Sequence, residues 1–231
     1  MKRFWKNALI VTLGEGHAVE LDGRPVKLPS GKPLIVSFPP LAAAIAGEWA
    51  NAPQDFSPEN LPFTRLASTA QERIAPHRTD IIGQLAAYGM NDLLCYRAET
   101  PDDLVTRQNE IWGRWLQWAA ATHSLQLQST TGLVPINQPP STGEALHNIL
   151  SSQSNDTIAA LGVIVPALGS LILGLALTAQ ALTPQAACDA AFLDELWQEE
   201  QWGTDKEAIA RRAKVIADVS VSTQFMYLCA T

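Results

Sequence analysis

Ala8-Leu9-Ile10-Val11-Thr12-Leu13, Gly14-Glu15-Gly16, His17-Ala18-Val19-Glu20-Leu21 and Asp22-Gly23 follow one another near the start of the chain, and they decide its architecture. An apolar run rich in β-branched residues and a mixed run that ends on Leu21 flank a glycine turn. Asp-Gly is a dipeptide favoured in type I′ hairpins, because both central residues of that turn need positive φ. Arg24-Pro25-Val26-Lys27-Leu28 then returns, Pro29-Ser30-Gly31-Lys32 turns again, and Pro33-Leu34-Ile35-Val36-Ser37 supplies a further short strand. The pattern predicts an antiparallel meander that ends near Ser37. Beyond it the period changes. Pro39-Pro40 opens a helix whose Leu41, Ile45 and Trp49 share one stripe, and Pro53 breaks it. The expected class is α+β, with a mainly β domain carrying one helix over residues 1–58 and a larger all-helical domain over residues 59–231.

The helical part is punctuated by prolines and caps. A linker with Pro58 and Pro62 precedes expected helices from Thr64 to Ile74 and from His77 to Gly89. At Thr100-Pro101-Asp102-Asp103 the threonine can cap, proline suits the first helical position and the aspartates favour the positive end of the dipole. That helix should reach about Thr122 and carries Trp112, Trp115 and Trp118 as one broad aromatic stripe, read as core. Leu125-Gln126-Leu127-Gln128 alternates like a short strand. Thr183-Pro184 is a second capped start, Gly203 is expected as a left-handed cap, and Thr204-Asp205 begins a last helix with Arg211, Arg212 and Lys214. Thr157 to Leu182 holds no charged side chain, enough length for a membrane span. Pro166 interrupts it, glycines punctuate it, and no lysine or arginine lies between Arg114 and Lys206, so a buried helical hairpin is the expectation rather than membrane insertion.

A chain of 231 residues, 47% hydrophobic, can bury a sizeable core. Its 16 basic residues against 23 acidic ones give a net charge of -7. Nucleic acid and anionic membranes both demand basic surface, so neither is an expected partner. Cys95, Cys188 and Cys229 are far apart and odd in number, which points to reduced thiols. Met1-Lys2-Arg3-Phe4-Trp5-Lys6-Asn7 lacks the apolar run of a signal peptide.

Catalytic signatures are sparse. Gly14-Glu15-Gly16 lacks the third glycine of a dinucleotide fingerprint and precedes a strand, so it reads as a turn. Glu144-Ala145-Leu146-His147 is a single Glu-x-x-His, where a paired metal site needs two copies and two further glutamates. A small-molecule or metal-dependent enzyme built on Glu144 and His147 is the alternative to a binding protein; no metal and no cofactor are expected. Asp194-Glu195-Leu196-Trp197-Gln198-Glu199-Glu200-Gln201-Trp202-Gly203 is more telling. Glu195, Glu199 and Trp202 can share one helix face. It reads either as an ordinary acidic, solvated face or as a binding face, with carboxylates for a partner's basic groups beside an aromatic anchor.

Taken together, Leu21-Asp22-Gly23-Arg24-Pro25-Val26-Lys27, Ala44-Ile45-Ala46-Gly47-Glu48-Trp49, Leu61-Pro62-Phe63-Thr64-Arg65-Leu66-Ala67-Ser68-Thr69-Ala70, Asp92-Leu93-Leu94-Cys95-Tyr96-Arg97-Ala98, Arg107-Gln108 with Trp112, Gly169-Ser170-Leu171, and Leu193-Asp194-Glu195 running to Trp202-Gly203 carry a resemblance. In order and spacing they resemble the ATP synthase catalytic-head (F-one) assembly chaperones that act on the alpha subunit. The resemblance implies a non-enzymatic protein that holds free alpha subunit until beta joins it, with a small β domain before a larger helical one. It matches Glu195 to the glutamate of a family motif and Glu48-Trp49 to a family Glu-Trp pair; joined to the acidic face, the expected partner-binding set is Asp194, Glu195, Glu199, Trp202, Glu48 and Trp49. Mitochondrial members carry a presequence, whereas this chain opens on the β domain, so a bacterial, cytoplasmic relative, monomeric when free, is expected.

Overall fold

Strand β1 (Ala8–Leu13) turns through Gly14, at φ 61°, into β2 (Gly16–Leu21), and the two pair antiparallel from Ala8↔Leu21 to Leu13↔Gly16. Asp22 and Gly23 have φ of 48° and 81°, the two positive values that the Asp-Gly turn predicts. Strand β3 (Arg24–Pro25) follows and pairs with one end of β2, while β4 (Ile35–Val36) pairs with the other end through His17 and Ala18. The sheet is therefore centred on β2 rather than being a simple meander, because Lys27 and Pro33 bridge a short excursion that returns the chain to β2. Gly16 packs closely there: a Cβ would clash with Ile35 Cγ2 and stand 3.2 Å from the Val36 carbonyl oxygen.

The computed structural model describes residues 1–132 and 135–230. Contacts among Cα atoms divide the chain into two compact units, the first made of residues 1–78, 154–160 and the stretch from 221 onward, the second of residues 79–153 and 161–220. A boundary at residue 58 thus falls inside the first unit, which extends to Arg78 and gains two later segments that sequence order does not reveal.

In the first unit α1 (Pro39–Asn51) buries Leu41, Ala42 and Ile45. A 3₁₀ turn at Pro58–Asn60 leads to α2 (Pro62–Thr69), a π-helical turn at Ala70–Ile74 and the first residues of α3 (Ala75–Met90), which kinks at His77 and from Thr79 on belongs to the second unit. Trp5, Trp49 and Phe56 pack edge to face with centroids 5.1 to 5.8 Å apart.

The second unit is built on α4 (Asp102–His123); of the predicted stripe, Trp112 and Trp115 are buried, whereas Trp118 is half-buried and Ala119 beside it is buried. Its start differs from expectation. Pro101, not Thr100, occupies the cap position, and no side chain caps the helix. Leu125–Gln128 is not a strand. Instead β5 (Tyr96–Arg97) pairs in parallel with β6 (Thr130–Thr131), and Gln128 gives its backbone N–H to Gln138 Oε1 at 2.9 Å. Helices α5 (Pro140–Ser151), α6 (Asn155–Leu168), whose residues up to Ala160 belong to the first unit, and α7 (Leu171–Thr178) follow. The uncharged stretch is the expected buried hairpin, but it breaks at Gly169, φ 65°, and Ser170, while Pro166 stays inside α6. A Cβ on Gly174 would lie 3.1 Å from both Leu161 and Val165, so α7 packs tightly on α6. Among the described residues no helix is long and apolar enough to cross a membrane. Thr183 caps α8 (Pro184–Ala191) as expected, accepting from Ala186 N at 3.2 Å. Helices α9 (Leu193–Trp202) and α10 (Lys206–Leu228) close the chain.

Candidate functional site

Helix α9 begins after Phe192, whose φ of -97° and ψ of 18° break the path from α8. It ends at Gly203, which has the expected positive φ but a ψ of 166°, an extended geometry rather than a left-handed cap. Asp205 Oδ1 then accepts from Glu207 N at 2.9 Å and starts α10. The short turn sets Arg211 and Arg212 of α10 against the acidic residues of α9.

Arg212 is the centre of this arrangement. One of its nitrogens donates to both Glu199 oxygens at 2.6 Å, and another donates to Glu195 at 3.2 Å. Its side chain retains only 9% of its surface. Hydrogen bonding to Glu199 is the main reason its guanidinium is held charged even more firmly than usual. Arg211 also donates to Glu195, but both of those side chains are well exposed. Glu200 is engaged too, by a two-pronged pair with Arg107 at 2.8 Å, which lowers its carboxyl below the usual range. Asp194 accepts from Gln108 Nε2 at 2.7 Å, and Gln108 Oε1 in turn accepts from Ala98 N. The basic groups that the acidic face was expected to draw from a partner are thus supplied in part by the chain itself.

Trp202 stands apart from this satisfied network. Its partner Trp197 is buried and donates to Asp103 Oδ2 at 3.0 Å. The ring of Trp202 meets Trp197 edge-on at 5.7 Å yet remains 75% exposed, the most exposed large apolar side chain among the described residues. Asp194, Glu195, Glu199 and Trp202 are therefore brought together on one helix, as their spacing suggests.

Glu48 and Trp49 lie in the first unit and form a cluster of their own. The Glu48 carboxylate accepts from Phe63 N, from Thr64 N at 3.0 Å and from Thr64 Oγ1 at 2.8 Å, which anchors the first turn of α2. Burial pushes the Glu48 carboxyl above its ordinary range, against those hydrogen bonds. Trp49 donates to Thr64 Oγ1 at 3.1 Å, and its carbonyl accepts from Trp5 Nε1 at 3.0 Å. Both side chains are half-buried.

Glu144 and His147 are exposed on α5, and His147 Nδ1 sits 3.3 Å from Ser151 Oγ. Among the described residues no group of three or more His, Cys, Asp or Glu side chains is placed to hold a metal ion. Two glutamines have roles that the sequence does not announce: Gln108, quoted above only within a resembling segment, and Gln138. Both are buried and hydrogen-bonded to distant backbone, and a buried polar residue among apolar neighbours leaves no periodic signal to find.

Comparison with known proteins places this geometry. A family model described as ATP12 chaperone protein matches residues 2–120. The mitochondrial protein atp12 of Schizosaccharomyces pombe is 31% identical over 188 residues, spanning 74% of this chain and 63% of that relative's length. The crystal structure of Atp12 from Paracoccus denitrificans superposes with a TM-score of 0.94 at 36% identity, covering 99% of this chain and 98% of that one. The Atu1473 protein of Agrobacterium tumefaciens gives a TM-score of 0.93 at 33% identity, with 98% and 85% covered. The α+β architecture is shared with these structures, and the chain belongs to the ATP12 chaperone protein family, the assembly-chaperone family that its sequence resembles.

Proposed function

We propose that this protein is a non-enzymatic assembly chaperone that binds the free F-one alpha subunit of ATP synthase and keeps it from aggregating until the beta subunit joins it. It acts in the bacterial cytoplasm, as a monomer when free and without a cofactor. An orphan ring subunit exposes the apolar surface that its neighbour should cover, and such surfaces aggregate. The observation that carries the reading is Trp202, a tryptophan left 75% exposed at the end of an acidic helix in a chain of this family. An exposed indole beside carboxylates is the composition of an interface anchor with a steering rim.

The ion pairs refine how that face works. Arg212 holds Glu199 and Glu195 in place, whereas the exposed Arg211–Glu195 pair is worth about 0–1 kcal/mol and can be exchanged for a guanidinium or ammonium of the alpha subunit. Asp194 adds charge to the same helix. Glu48 and Trp49 join the contact set through the part of each side chain left open, while their hydrogen bonds keep α2 seated.

The test is light scattering of purified alpha subunit on dilution from denaturant, with stoichiometric chaperone present. The wild-type chain should suppress scattering, and Trp202→Ala and Glu195→Gln should suppress it less while unfolding at the wild-type temperature. Scattering that is unchanged by the wild-type chain overturns the proposal.

A further inference from the structure

Strand β1 has one paired edge and one that nothing in the described chain uses. Asp22 N donates to Asn7 O at 3.1 Å, and Val26 N donates to Val19 O at 2.8 Å. With the register Ile10↔Val19, alternation in an antiparallel ladder turns the N–H and C=O of Leu9, Val11 and Leu13 toward β2 and those of Ala8, Ile10 and Thr12 away from it. No hydrogen bond among the described residues occupies these outward groups. Proteins usually blunt such an edge with lysine, proline or a bulge. Within Ala8–Leu13 there is no charge, no proline and an unbroken register.

The same strand carries an apolar stripe. Leu9, Val11 and Leu13 share one face, Val11 lies opposite Ala18, and Ala18 lies opposite Ile35. Leu9, Leu13 and Ile35 are 63%, 39% and 39% exposed. Ahead of the strand, residues 1–7 contain Lys2, Arg3 and Lys6 and no acid, in a chain whose net charge is -7. The Arg3 guanidinium is used by the carbonyls of Trp5, Ala52 and Lys6, and the Asp22 carboxylate accepts from the backbone of Lys6 and Asn7 beside the Lys6 charge. Lys2 and Lys6 remain exposed.

From this we infer that the free edge of β1 takes up an extended segment of another protein as an added antiparallel strand, one with alternating apolar residues and acidic residues at its C-terminal end. The backbone groups of Ala8, Ile10 and Thr12 supply the affinity that any extended chain can use, and the stripe of Leu9, Val11 and Leu13 selects apolar side chains. In an antiparallel addition the C-terminal end of the incoming segment runs toward Asn7 and the exposed Lys6, which sets the charge preference, whereas Lys2 is bridged to Asp55 through its backbone. A second copy of this chain would bring the same negative net charge and only a six-residue strip, too little for a stable dimer interface. Strand β1 belongs to the first unit and Trp202 to the second, and occupancy of the strand edge does not depend on which subunit Trp202 binds.

The probe is an acetylated, amidated peptide of three Val-Thr repeats followed by two glutamates, added to the full chain and followed by backbone amide exchange. Exchange at Ile10 and Thr12 should slow at least tenfold, while Leu9, Val11 and Leu13 stay as protected as before. Ile10→Pro removes the central outward donor without taking a hydrogen bond from β2, and should abolish binding. Should that variant unfold, the double variant Leu9→Glu, Leu13→Glu serves in its place, with the same loss expected. Trp202→Ala should bind the peptide normally. Absence of protection at Ile10 and Thr12, equal binding of a fully N-methylated peptide, or protection that rises with protein concentration alone (a second copy) would each overturn the inference.

Discussion

Arg212 and Glu199 are joined by two 2.6 Å contacts from a guanidinium that is nearly removed from solvent. Taking away Arg212 leaves Glu199 and Glu195, one helical turn apart, facing each other without their shared cation. Removing one partner of a desolvated pair costs more than the pair itself contributes. Arg212→Ala should lower stability by about 2 kcal/mol, and Arg211→Ala, at an exposed pair, by about 0.5 kcal/mol. Urea unfolding of the two variants checks this; equal losses would show that Arg212 has no special place.

Asp92 is fully buried, and its carboxylate accepts from Leu94 N at 3.1 Å and from Ile172 N, at the start of α7, at 3.0 Å. Burial outweighs these bonds and pushes its pKa from 3.8 up to about 6. The native state thus holds a proton that the unfolded chain has already released between these two values. Stability from this group is full below pH 4 and declines as pH rises to about 6, by an amount on the order of 2–3 kcal/mol. In Asp92→Asn that part of the pH dependence should vanish, although the amide loses one of the two acceptors. Unfolding midpoints measured from pH 4 to 7.5 for both proteins give the comparison.

Gly89 lies on the buried side of α3, where an added Cβ would come 2.7 Å from Leu146 Cδ1 and 2.9 Å from Leu171 Cδ2. Both leucines are themselves fully buried and have little room to yield. The helix-propensity gain of Gly89→Ala, about 1 kcal/mol, should be overtaken by overpacking, for a net loss of about 1–2 kcal/mol. At exposed Gly83 on the same helix, where nothing lies within 4 Å, alanine should stabilise. Thermal melts of the two variants should therefore shift in opposite directions.

The thiols should be inert in the native protein. Burial raises Cys95 to about 12, with Asp92 adding to it; Cys188 is raised to about 11 and Cys229 to about 12, again mainly by burial. At pH 8 the thiolate fraction of each is on the order of one part in a thousand or less. Iodoacetamide followed by mass spectrometry should label almost none of the three before denaturation and all of them after it.

What could be read from the residues was what local chemistry controls. Asp22-Gly23 sets its own turn, Thr183-Pro184 starts its own helix, and the spacing of Trp112, Trp115 and Trp118 marks a helix whose inner side is buried. Elsewhere distant groups overrode local preference. Thr100 does not cap: Pro101 holds the cap position in an extended conformation, and upstream of it Ala98 N is bound to the Gln108 side chain. Leu125–Gln128 alternates like a strand, yet its backbone is served by Ala119 and by the Gln138 side chain. The candidate face shows the same division. Helical spacing gathers Glu195, Glu199 and Trp202, but nothing in that spacing says that Arg212 would fold back to neutralise the first two. That pairing depends on the direction in which the chain leaves Gly203, and one unusual ψ angle there decides it.

The seven tryptophans of this chain are unevenly placed. Trp5, Trp112, Trp115 and Trp197 are buried, Trp49 and Trp118 are half-buried, and Trp202 alone is open to solvent. The molecule therefore carries its own optical sensor. A dissolved quencher such as iodide reaches one indole far more readily than the rest, and whatever covers the end of α9 will shield that emission. Docking can be followed by intrinsic fluorescence on unlabelled protein, with Trp202→Phe as the dark control.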